Sequence, residues 1–255
     1  MTDNLQAHYD AMRATAVRQL AQGQAELDPL IDSPDDDRRG ITLLARPPAR
    51  ITAVLETLLA DFRCTEPHQY YYPASDVHLT VLSIISCYRG FVLPMVDAAA
   101  YRAAVCAIVR PVRSFGITFS GLTASPGGII VQGVPLGSGL EELRDRTRQY
   151  FRQAGLQQSI DQRYSIQTAH STVIRFRNRI LDTNALLAKI KKYQHHIIGT
   201  FEVDAVELVF NDWYQRAANT VLLEKYSFTG RRPGVGPRGP TPGRRLSYRG
   251  PGASR

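Results

Sequence analysis

Long apolar runs are missing from this 255-residue chain. None approaches the ~20 consecutive apolar residues that a helical membrane span needs, so no membrane partner is expected. Cysteine is scarce, with three residues (Cys64, Cys87, Cys106) far apart and in odd number. They form neither a disulfide frame nor a close-spaced zinc set, and read as free thiols of a reducing cytoplasm. The N-terminus is mixed and acidic, unlike a secretory signal. There is no Gly-Lys-Ser/Thr phosphate loop, and Gly137-Ser138-Gly139 is too short for a dinucleotide loop. That weighs against ATP-dependent chemistry, including nucleotidyl-transfer ligation. No cofactor and no metal are expected.

Charge is unevenly spread. The chain carries a formal +8, but seven Arg and no acid lie between Thr229 and Arg255. The first 228 residues hold 24 basic and 23 acidic groups and are nearly neutral. The tail is rich in Gly and Pro and is expected to be disordered. It is read as an inert extension in preference to a weak electrostatic contact with nucleic acid.

Against this background one pattern occurs twice. His78-Leu79-Thr80-Val81 and His170-Ser171-Thr172-Val173 are 92 positions apart in a chain with six His. Each is His, any residue, Thr, then an apolar residue, and each opens a β-like run, HLTVLSII and HSTVIRF. Residues two apart on a strand share a face. His78 therefore points with Thr80, and His170 with Thr172. A single such motif is common on strands, where the His is usually structural. Two at domain-scale separation suggest imidazoles and hydroxyls converging on one cleft.

The tandem motifs resemble the 2H phosphoesterase superfamily, which includes the bacterial 2′-5′ RNA ligase-like proteins and cyclic phosphodiesterases. The resemblance runs from about Arg39 to Phe228. It includes the apolar strand Ile41 to Ala45 before Pro47-Pro48, and a closing pair, Phe201 to Phe210 and Asn219 to Phe228, similar to the family's final hairpin. It implies an α+β bilobal fold: two mostly antiparallel sheets, pseudo-twofold related around a cleft, with helices outside. Residues 1–38 are expected to form an N-terminal helix (Asn4 to Gln24) and an exposed acidic linker, 39–228 the phosphoesterase-like domain, and 229–255 the tail. The implied activity is metal-independent hydrolysis of 2′,3′-cyclic phosphate or 2′-5′ phosphodiester bonds. The substrates are RNA ends or small nucleotides, and the chain is expected to act as a monomer.

Within that chemistry His78 and His170 are the catalytic acid and base, because imidazole titrates near neutral pH. Thr80 and Thr172 bind the phosphate oxygens with hydroxyls that β-branching holds stiffly. Which imidazole is the base is left open. Asp76 and Thr168, two residues before each His, share its side and either orient it or simply end the strand, the second being favoured. Tyr70 to Tyr72 and Trp213-Tyr214 are read as packing rather than base-stacking residues. Strict alternation turns Arg175 and Arg177 away from the His170 face. A helix is expected at Leu140 to Ala154, and a hairpin turn at Gly127-Gly128. The competing readings are an RNA-binding module without turnover, the reverse end-joining reaction, and a zinc protein using His78 and His170. The last has no close-spaced ligand pair to support it, since His195-His196 point to different sides.

Overall fold

The computed structural model describes residues 2–163, 165–228 and 230. Apart from Gly230, the expected disordered tail lies outside the described residues. Two antiparallel sheets form the centre. In the first, β1 (Arg39–Ala45) runs between β3 (Leu79–Tyr88) and β8 (Ala205–Asp212), and β9 (Val221–Ser227) closes the far side. In the second the order is β2 (Tyr70–Tyr71), β6 (Ser171–Arg175), β5 (Gly128–Leu136), β4 (Phe115–Ser125) and β7 (Ile197–Val203). β1 is an apolar run buried at every position after Arg39, as a strand covered on both faces requires.

Helices cover the sheets. α2 (Ala49–Thr65) starts directly after Pro48 and buries Ile51, Leu55, Leu58, Leu59 and Phe62, a stripe at helical spacing. α3 (Ala98–Val109) and α5 (Thr183–Lys192) begin at Asp97 and Asp182, whose carboxylates accept the first free backbone N–H groups. α4 (Gly139–Gln153) occupies the expected position. α1 (Thr2–Ala21) packs on the body through Tyr9, Ala16 and Leu20, all buried, and ends before Gly23 at φ +71°.

Three local expectations change. The run Phe201 to Phe210 is two strands, because the chain crosses between sheets at Asp204, leaving β7 in one and β8 in the other. The β4–β5 turn is Pro126-Gly127, since Ser125 pairs with Gly128. The acidic stretch is half exposed, as expected, but it is fastened to the body instead of hanging free. Ile31 is buried, Asp28 N–H donates to the Phe176 carbonyl, Asp36 grips Arg38 at 2.6 Å, and Asp32 pairs with Arg177. Its carboxylates serve as acceptors that stitch it to the body.

Candidate active site

β3 is an edge strand of the first sheet, and β6 is covered at the edge of the second only by the two-residue β2. The two His-x-Thr motifs thus lie at sheet edges. His78, Thr80, His170 and Thr172 line one cleft. Both Thr are partly exposed between buried neighbours.

Each imidazole is held from two residues earlier in the chain. His78 Nδ1 lies 2.7 Å from the Asp76 carbonyl. A carbonyl only accepts, so Nδ1 carries the proton and Nε2 is the free ring nitrogen. His170 Nδ1 lies 2.5 Å from Thr168 Oγ1. Thr168 therefore orients its imidazole through its side chain, whereas Asp76 holds His78 only through its backbone carbonyl, which any residue there would supply; both residues are buried. The Asp76 carboxylate is occupied by the Ser75 hydroxyl and the Ala217 N–H. Gly133 of β5 lets the chain before His170 pass closely, since a Cβ there would collide with the Ala169 carbonyl. Tyr9 Oη bonds the Gly133 backbone at 3.1 and 3.2 Å, tying α1 to this corner.

Burial lowers His78 from its ordinary 6.5 to about 4; the Asp76 carbonyl opposes this, and the Arg46 and Arg175 charges add to it. Burial likewise lowers His170 to about 4, with the charges of Arg144, His78 and Arg175 adding. Both rings are therefore neutral at neutral pH.

The expectation for Arg175 is overturned: it lines the cleft. The cause is a β-bulge. Ile129 pairs with Ile174, but the next residue, Ile130, pairs with Thr172, so Val173 is an extra residue in β6. The extra residue resets the alternation and brings Arg175 back to the face of Thr172. β3 does the same after its own motif. Leu43 pairs with Leu82 and Leu44 with Thr80, leaving Val81 extra, and Ser83 returns to the cleft. Ser83 and Arg175 are thus equivalent positions, each five residues past its motif His. Arg175 Nε donates to Tyr72 Oη at 2.8 Å. Among the described residues no carboxylate is within ion-pair distance of Arg175. Arg177, as expected, faces elsewhere and pairs with Asp32.

Arg144 of α4 joins the two motif strands. It is 5% exposed. Its Nε donates to the Val81 carbonyl at 2.8 Å, and its Nη2 to the carbonyls of Thr80 at 3.1 Å and Thr168 at 2.8 Å. One planar fork thus satisfies carbonyls on the free edge of β3 and in the segment leading to His170. Burial pulls this guanidinium down to about 10.

The aromatic residues divide. Tyr214 is buried and bonds Asp28, as packing predicts. Tyr72 lines the cleft, and so does Trp213, with the guanidiniums of Arg38 and Arg163 at 5.0 and 4.9 Å from its ring. Tyr71 donates to the Glu66 carbonyl. No described helix is long and apolar enough to cross a membrane. Among the described residues no group of three His, Cys, Asp or Glu is placed to hold a metal ion.

A two-lobed α+β fold, with one His-x-Thr motif per sheet, is the class that these elements define. In fold alone the chain is similar to the protein TT0787 of Thermus thermophilus, at TM-score 0.53 and 18% identity over 76% of this chain and 100% of that one. E. coli LigT, solved in complex with 3′-AMP, matches at TM-score 0.50 and 14% identity over 76% of this chain and 99% of its own. No protein-family model matches the chain, and no curated protein matches it in sequence.

Proposed function

We propose that this chain is a 2H phosphoesterase, a metal-independent enzyme that hydrolyses 2′,3′-cyclic phosphate or 2′-5′ phosphodiester bonds at RNA ends or in small nucleotides. The observation that carries this reading is the meeting of His78, Thr80, His170, Thr172 and Arg175 in one cleft. E. coli LigT, with the same fold, was solved with 3′-AMP, a nucleoside monophosphate.

In-line displacement at phosphorus needs a base on one side and an acid on the other, and a pair of imidazoles on opposing strands supplies both. One neutral imidazole takes a proton from water as the water oxygen bonds to phosphorus. The other, protonated, gives its proton to the ribose oxygen as that P–O bond breaks. The products are a phosphomonoester and a free hydroxyl, and solvent exchange resets the two rings. Thr80 and Thr172 donate to non-bridging oxygens, and Arg175 balances the negative charge. The phosphate itself lifts the imidazole titration points. Before it binds, both rings are neutral and only the base is ready; its charge allows one ring to hold the proton that the acid needs. The free thiols of Cys64, Cys87 and Cys106 suit a cytoplasmic enzyme, and residues 39–228 are its catalytic domain.

The test is phosphorus NMR of an oligonucleotide ending in 2′,3′-cyclic phosphate, incubated with the protein in excess EDTA. Conversion to a monoester that depends on the protein supports the reading. Retention of the cyclic signal, together with an unchanged 2′-5′-linked dinucleotide, overturns it.

A further inference from the structure

A second cavity, of about 410 Å³, opens between α1, the end of β5 and the start of α4. Small-ligand sites run from roughly 300 to 1,000 Å³. Leu5 of α1 gives it one apolar wall, and Val134, Pro135 and Leu140 give it another. Ile166, in the segment leading to His170, lines both this cavity and the catalytic cleft.

Arg144 lines this cavity and not the cleft. Its bonds to the Thr80, Val81 and Thr168 carbonyls are all made by Nε and Nη2. Nη1 has no hydrogen-bond partner among the described residues, yet it is not sealed from solvent. The side chain is otherwise buried, at 5% exposure, so the cavity is the space that this nitrogen meets. Its charge is unmet as well. Arg148, one turn on, takes the nearby carboxylates, Asp161 at 2.7 Å and Asp145 at 3.1 Å. Among the described residues no carboxylate is within ion-pair distance of Arg144. Burial, and then the repulsion of Arg148, pull its guanidinium down. A buried charge without a counter-ion is costly, and an anion entering the cavity relieves that cost.

We infer that this cavity is a second ligand site, which takes a small organic acid with its carboxylate on Arg144 Nη1 and its apolar body against Leu5, Pro135 and Leu140. The lining selects that class. A single free nitrogen offers one point of contact, not the two-pronged grip that suits a phosphate dianion. The exposed carboxylate of Glu141, also in the lining, opposes a second negative charge on the ligand. The site makes no use of His78 or His170 and goes beyond the phosphoesterase reading. Its occupant would nevertheless touch the guanidinium that joins the two motif strands, so ligand binding adds to the stability of that arrangement.

The experiment is an NMR titration of the isotope-labelled full chain with benzoate, and with benzamide as its neutral isostere. The backbone amides of Gly137 and Gln167, which line the cavity, should shift with benzoate and saturate together, while those of Ser83 and Thr172 in the cleft stay in place. Benzamide should bind at least about tenfold more weakly, because the charge-assisted hydrogen bond to Arg144 is lost. His8 and Gln167 are exposed residues of the lining. A His8→Glu/Gln167→Glu variant should weaken benzoate by about threefold or more through repulsion. It should leave benzamide unchanged, which shows that the cavity itself is intact. Equal affinity for the two ligands, or no saturable shift at Gly137 and Gln167, overturns the site. So does a benzoate response confined to the cleft amides, which assigns the acid to Arg175.

Discussion

Removing the Arg144 fork is the sharpest perturbation of the cleft that leaves its lining untouched. Arg144→Met keeps most of the apolar stem but strands the carbonyls of Thr80, Val81 and Thr168. Each unmet buried carbonyl costs about 1–3 kcal/mol. Against this, the variant recovers the burial cost of the guanidinium, ~3 kcal/mol for a group pulled from 12.5 to about 10. The balance is a net loss of about 3 kcal/mol, read by urea unfolding. Because these carbonyls belong to the chain around Thr80 and His170, the motifs should also drift apart, and a small misplacement at a reacting centre costs ~10²-fold in kcat/KM. Arg144→Lys should recover part of the stability, since an ammonium cannot reproduce the planar fork. A Met variant that loses stability yet keeps full kcat/KM under folded conditions would show that Arg144 does not align the two motifs. An unchanged urea midpoint would refute the energetic argument itself.

The two cleft imidazoles, His78 buried and His170 partly so, set a pH dependence of stability. Both are lowered to about 4 when folded, against an ordinary 6.5, so between these values the unfolded chain binds protons that the folded chain does not. Stability is therefore constant above the upper value and falls as pH drops through the window, by ~3 kcal/mol for His78 when complete. Urea midpoints across that range should flatten in a His78→Asn/His170→Asn variant, and identical curves would contradict the burial account. Arg175→Met should raise KM or lower kcat/KM by about 10–10²-fold, with the urea midpoint changed much less. Unaltered kinetics would remove Arg175 from the phosphate site.

Much of the cleft is legible in the sequence because its signal is repetitive. His78 with Thr80 and His170 with Thr172 can be paired by strand period alone, and the sheet architecture follows from the resemblance that they carry. Arg175 escapes the same reasoning because period two holds only while the ladder is regular. The clue is present in both copies: Val81-Leu82 and Val173-Ile174 are apolar doublets, after which the polar residue returns at the fifth position past the His instead of the fourth. An apolar doublet inside an alternating strand is the mark of a bulge. Arg144 is beyond reach for another reason. Its position on a helix is foreseeable, but its partners are backbone carbonyls far along the chain, and backbone acceptors leave no residue signature. Composition conveys the exposure of the acidic stretch but not its attachment, since Asp28, Asp32 and Asp36 also serve as hydrogen-bond acceptors at the surface of the body.

The central claim is that two imidazoles share one reaction. It is tested most directly by the turnover of a 2′,3′-cyclic-phosphate-ended oligonucleotide in EDTA by wild type, His78→Ala, His170→Ala and the double variant. The account predicts that each single change costs about 10²–10⁴-fold and that the double variant is scarcely worse than either, because acid and base act as a unit. Wild-type turnover by either single variant would contradict it.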